Sequence, residues 1–247
     1  MLRIILRGLF ALTFSSAYGA LTVFPSRQEI SLPAGAKVQG EYVVKNESDQ
    51  SIVIKLEFRD WFVLPKNSGI KAKDWLSIVT TQLKLGPQEE KPVQYEVKVP
   101  TSAEGVLVAM LSFLPQGEAQ VSLMLSVSLY VTVAGTEKIS WQISDVNLSY
   151  RMNQLQISAK VWNHGNVHVR PQGMIEIYKG KLKLDEFGFA ESRPVYPENS
   201  RLILARKEKM NLLPGKYRAR IHLRGQGEQK EKEISFRLKK SGEIILR

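Results

Sequence analysis

From Ala119 to Ala134 the chain reads AQVSLMLSVSLYVTVA, with Val121, Leu123, Leu125, Val127, Leu129, Val131 and Val133 at every second position. Ser122, Met124, Ser126, Ser128, Tyr130 and Thr132 lie between them. Successive side chains leave opposite faces of an extended chain, so this alternation predicts a β-strand with one aliphatic and one mostly hydroxylic face. Fully extended, it would reach about 50 Å at roughly 3.3 Å per residue, well beyond a common strand. The aliphatic face requires a core beneath it.

Similar alternation organises the rest of the chain. Ahead of this strand the pattern predicts extended runs over Leu21–Leu32, Val38–Lys45, Ser51–Val63, Trp75–Leu85, Val93–Val99 and Gly105–Leu114. Pro33-Ala34-Gly35, Asn46 to Asp49, Lys66 to Gly69, Gly86-Pro87 and Pro115 to Gly117 punctuate them as turns. Beyond a short linker at Gly135 to Lys138 come Ile139–Leu148, Leu155–Trp162, Met174–Tyr178, Leu182–Phe189, Leu202–Arg206, Tyr217–Leu223 and Ile234–Leu238, with a short tail strand after Gly242. Leu213-Pro214-Gly215-Lys216-Tyr217 has the form of a tyrosine corner, in which a hydroxyl bonds back to the upstream backbone. No helical periodicity is evident. The expected fold is all-β, two tandem immunoglobulin-like β-sandwiches.

Length agrees, since 247 residues suffice for two domains with real cores. The absence of cysteine removes disulfides, thiolate metal sites and thiol nucleophiles from consideration. The N-terminus changes the picture more. Arg3 and Arg7, an apolar stretch centred on Gly8 to Phe14, and Ala17-Tyr18-Gly19 together read as a secretory signal peptide over residues 1–19. The mature chain would then be an exported protein of the periplasm or extracellular cell envelope, without a transmembrane span, divided into domains at 20–135 and 138–247.

Charge is unevenly shared. Residues 20–137 hold 11 basic and 13 acidic residues, whereas residues 138–247 hold 22 and 11. A strongly basic second domain suggests contact with an anionic surface through Lys179 to Lys183 or Arg201 to Lys209, although lysines on exposed edges also guard against strand aggregation. Export argues against a nucleic-acid partner.

Candidate chemistry is sparse. His164 and His168 are four apart, but Asn163, Gly165, Asn166 and Pro171 oppose the helix that would align them, so no metal site is assigned. Asp60 and Asp74 flank a loop bearing Trp61, Phe62 and Trp75, with nothing to fix the separation of the carboxylates. The aromatics are expected to close one end of the first sandwich. No Gly-x-Ser-x-Gly elbow occurs. The chain is read as non-enzymatic, without catalytic residues or cofactor.

Residues 21–134 resemble the N-terminal immunoglobulin-like domain of periplasmic pilus-assembly chaperones of the PapD type, through SLPAGAKVQGEYVVKNES, LGPQEEKPVQYEVKVP and LMLSVSLYVTV. Residues 138–247 resemble Ig-like modules of bacterial envelope proteins more broadly. The resemblance implies an exported subunit as client, bound by β-strand donation or edge pairing, with Leu123, Leu125, Val127 and Leu129 shared between the core and the client's groove. It also implies a carboxylate grip by an Arg of the first strand and a Lys of the last. Arg27 stands in the first place, but Ser126 and Ser128 occupy the last-strand positions and the run contains no Lys. The alternative function is a structural envelope module held in a larger assembly by its basic second domain.

Overall fold

The computed structural model describes residues 21–116, 124–189 and 193–246. The signal-peptide segment, residues 119–123 of the long alternating run, and Leu123 among the expected client-binding residues lie outside them.

Among the described residues between Leu21 and Ala134, nine strands form two facing sheets. They are β1 (Leu21–Phe24), β2 (Arg27–Pro33), β3 (Lys37–Asn46), β4 (Ile52–Phe62), β5 (Leu76–Ile78), β6 (Gln82–Leu85), β7 (Glu90–Lys98), β8 (Val106–Gln116) and β9 (Leu125–Ala134). One sheet has the order β1-β3-β7-β5 and the other β2-β9-β8-β4-β6. The expected single strand over Leu21–Leu32 is in fact two. It breaks at Pro25, which has no N–H for a ladder, and the chain crosses from β3 in one sheet to β9 in the other.

The alternation of β9 works as expected where it is described. Val127, Leu129, Val131 and Val133 are buried in the core with Tyr42, Leu56, Tyr95, Leu111 and Phe113. Burying each such aliphatic side chain contributes about 1.5–3 kcal/mol. Val127 and Leu129, expected to be shared with a client, have their side chains enclosed by this core, while Leu125 only packs at its margin. A 3-10 turn at Pro65–Asn67 and a single helical turn, α1 (Ala72–Trp75), interrupt the loop after β4, where no helix was expected. Both are too short to give a periodic signal.

Eight strands form the second sandwich: β10 (Trp141–Arg151), β11 (Gln154–Asn163), β12 (Gln172–Lys179), β13 (Leu182–Gly188), β14 (Ser200–Lys207), β15 (Gly215–Gly225), β16 (Glu228–Leu238) and β17 (Ile244–Leu246). A sheet of order β10-β11-β14 faces one of order β13-β12-β15-β16-β17. Ile157, Val161, Ile175, Ile177, Ile221 and Phe236 lie between them. Tyr217 does form the tyrosine corner, its hydroxyl donating to the Leu213 carbonyl. β16 begins at Glu228 rather than near Ile234 because Gln226 and Gly227, both at positive φ, make a two-residue hairpin turn. The paired segment 228–233 is almost wholly charged, so it shows no apolar alternation.

The contrast along β9 is testable. Leu129→Ala should lower unfolding stability by about 2–5 kcal/mol, the usual cost of a large core truncation. Leu125→Ala should cost distinctly less. Urea unfolding followed by tryptophan fluorescence measures both.

Candidate functional site

Main-chain pairing of β9 is unequal on its two sides. Towards β8 the ladder runs from Thr132 opposite Val106 to Leu125 opposite Phe113. Towards β2 it runs parallel and begins only at Arg27 opposite Ser128, ending at Pro33 opposite Ala134. Among the described residues no strand pairs with Leu125–Val127 on that second side. Unpaired strand edges are templates for another strand. The opening lies where β2 and β9 separate, so this fork is the candidate site.

The fork is held from inside and outside. From the core, the Tyr42 hydroxyl donates to the Ser128 carbonyl at 3.2 Å. The Tyr95 hydroxyl donates to Gln28 Oε1 at 2.6 Å, and Gln28 Nε2 donates to the Glu41 carbonyl at 2.6 Å. Burial pushes the Tyr95 hydroxyl up to about 12. On the outer face, Ser126 and Ser128 are partly exposed, and the Ser126 hydroxyl lies 3.0 Å from that of Ser112.

Tyr130 breaks the pattern of that outer face. It alternates with the serines yet is only 3% exposed, because the second sandwich covers it. The His168 ring lies 4.3 Å from the Tyr130 ring, and the Arg170 guanidinium sits 5.1 Å above it. Tyr196 brings its hydroxyl to 3.1 Å from that of Tyr130, stacks on Phe62 at 4.5 Å, and accepts from Trp61 Nε1 at 2.7 Å. Trp61 and Phe62 therefore dock the second sandwich rather than merely closing the first, whereas Trp75 is a core residue, 4% exposed.

Glu29 is the polar counterpart of Tyr130, its register partner across the β2–β9 ladder. One carboxylate oxygen lies 2.9 Å from Arg27 Nε and 2.9 Å from Arg170 Nε. The other is 3.3 Å from His168 Nε2, a loose contact, and both nitrogens of that buried ring lack a well-formed hydrogen bond. The His168 ring, opposed by burial and aided by the Arg170 guanidinium, holds the Glu29 carboxyl down at about 2. Arg27, the expected carboxylate-gripping residue, thus opens β2 at the fork with a carboxylate already beside it.

A second set of bonds ties the linker. Asn166 accepts from the Val106 amide through its carbonyl at 3.1 Å and from the Lys138 amide through Oδ1 at 2.6 Å, and it donates to the Thr136 carbonyl at 2.8 Å. Neither neighbouring glycine can carry a side chain. A Cβ at Gly105, where φ is +65°, would lie 2.3 Å from the Asn166 carbonyl oxygen, and one at Gly165 would lie 2.2 Å from that of Lys138. The Asn/Gly-rich segment expected to be a plain inter-strand connection is the joint between the sandwiches. A small pocket beside it, about 170 Å³ and lined by Leu64, Lys66, Glu104, Lys138, His164 and Glu198, is below the volume of ordinary ligand sites.

The other candidates have local partners. His164 stacks on Trp162 while His168 sits in the junction, and no cluster of three metal-ligating side chains occurs among the described residues. Asp60 accepts from the Ala72 amide and Asp74 from the Lys71 amide, so both carboxylates hold the short helix α1. In the basic segments Lys183 bonds Glu176 and Glu186, Lys207 bonds Asp185, and Arg206 donates to Gln156. No helix among the described residues is long and apolar enough to cross a membrane.

No family model and no curated protein matches the chain. Among solved structures it is similar to the YadV chaperone at 8% identity and a TM-score of 0.48, covering 88% of this chain and 100% of that one. It is similar to the class 5 fimbriae chaperone CfaA at 15% identity and a TM-score of 0.47, with 92% and 98% covered. A third likeness is to the Salmonella enterica SafA pilin in complex with the SafB chaperone, at 9% identity and a TM-score of 0.45, covering 86% of this chain and 95% of that one.

The Glu29 contacts set a pH dependence. Its folded-state value lies below the ordinary 4.5, so its contribution is complete above that value and is lost as pH falls towards about 2. The stability difference between the wild type and Glu29→Gln should therefore shrink to zero between about pH 4.5 and 2. Urea melts across that range measure it; a difference constant with pH would contradict the assignment.

Proposed function

We propose that this chain is an exported, non-enzymatic protein-binding module, a periplasmic chaperone or assembly accessory for a pilus or other surface subunit. It takes a strand of its client along the open edge of β9. The domain at 20–135 handles the client, the domain at 138–247 braces it, and residues 1–19 direct export and are removed. The carrying observation is the unequal ladder, with β9 bonded to β8 from Leu125 onward but to β2 only from Ser128. A client strand would continue the line of β2 and complete the ladder by main-chain bonds.

Side-chain burial refines the resemblance. With Val127 and Leu129 enclosed in the core, the contact rests on the main chain around Leu125 to Val127 and on the Leu125 side chain. Arg27, at the mouth of the fork, is the partner-facing cation. The competing reading, an envelope module anchored by its basic second domain, has less behind it, since Lys183 and Lys207 of the expected basic segments are paired with carboxylates of the same domain.

Native mass spectrometry of the mature protein, purified gently from its host envelope, tests the proposal. A stoichiometric complex with one small subunit that survives high salt is expected, because strand pairing does not depend on screened surface charge. Leu125→Arg should abolish that complex while leaving the circular dichroism spectrum and melting profile of a folded β protein. A lone monomer, or an assembly that dissociates in salt, would overturn it.

A further inference from the structure

The rung formed by Glu29 and Tyr130 lies two residues beyond the point where β2 and β9 part. Both of its side chains are gripped by the same two residues of the second sandwich. His168 contacts the Tyr130 ring at 4.3 Å and Glu29 at 3.3 Å; Arg170 covers the Tyr130 ring at 5.1 Å and reaches Glu29 at 2.9 Å. We infer that Glu29 is a positioning residue for the open edge: through His168 and Arg170 the second sandwich clamps the third rung of the β2–β9 ladder, next to its opening, and so sets how much of β9 stays available to a partner strand. This rests on the proposed strand-pairing role for its purpose, but the clamp itself is a property of the free protein.

The physical reason is the position of β2. As an edge strand it is bonded to β9 alone. Ile30 and Leu32 pack against the core further along, and Gln28 is tied to Tyr95 and Glu41 on the inner face. On the outer face the hold comes from Glu29, whose carboxylate gathers Arg27 from its own strand and Arg170 and His168 from the other domain. Charge-assisted bonds of this kind are stronger than neutral ones and weaken steeply when one partner is removed. Without the clamp the fork would open from Ser128 to Tyr130 and lengthen the edge offered by β9.

Amide hydrogen exchange on the free protein tests this without a client. Glu29→Gln and Arg170→Gln should each raise exchange of the protected amides at the start of β2 about tenfold, and the double variant should fall well short of the product of the two, because both remove the Glu29–Arg170 pair. Tyr95→Phe, which loosens Gln28 from the core side, should add to either. Glu29→Asp should restore part of the protection. Unchanged exchange in β2, an equal rise throughout the first sandwich, or full additivity of Glu29→Gln with Arg170→Gln would each overturn the clamp. Since no client enters the experiment, its failure is distinct from failure of the strand-pairing proposal.

Discussion

Every buried backbone N–H and C=O in a sheet must find a partner, and a central strand has to be satisfied on both sides. β9 meets that requirement along only part of its length. Past Ser128 it is enclosed between β8 and β2; before it, one side has no strand among the described residues. The same strand also carries the core of the first sandwich through Val127 to Val133 and the seat of the second through Tyr130. Core, open edge and domain junction thus depend on a single ladder and on where β2 joins it.

This dependence explains the arrangement at the junction. The apolar cluster of Leu64, Val106, Val108 and Tyr130, with Phe62 and Tyr196 against it, lies on the outer face of the first domain's sheet. That face would expose these groups if the second sandwich were absent. Stacked aromatics contribute beyond their buried area, and the Asn166 bonds fix the linker at the same place. The two domains share a small third core, and the fork of β2 and β9 lies at its rim.

Much of this was legible in the sequence. Period-two alternation identified the strands of both sandwiches because one face of each is buried, and the Leu213 to Tyr217 segment announced its corner. The misses have physical reasons. Glu228 to Glu233 is stabilised by a hairpin turn and cross-strand charge pairs rather than by burial, so hydrophobic alternation could not reveal it. Tyr130 read only as a member of the mostly hydroxylic face, because its burial comes from another domain. Glu29 carried no signal of its role at the junction, since its partners there, His168 and Arg170, lie about 140 residues away. Tyr130 standing among serines was the available hint that something covers that face.

The charge imbalance looks different once the cations have addresses. From composition, the excess in the second half pointed towards an anionic surface. In the structure Arg218 and Arg220 meet Glu233, Lys183 meets Glu176 and Glu186, and Arg170 meets Glu29 of the other sandwich. Exposed pairs of this kind contribute little each. The Arg170 pair differs in being only 18% exposed at the arginine side chain and in crossing the domain boundary. Partial desolvation strengthens its attraction, and its position lets that attraction act on a strand end. This guanidinium is placed beside Glu29 and Tyr130, where its electrostatics act on the ladder that borders the edge of β9.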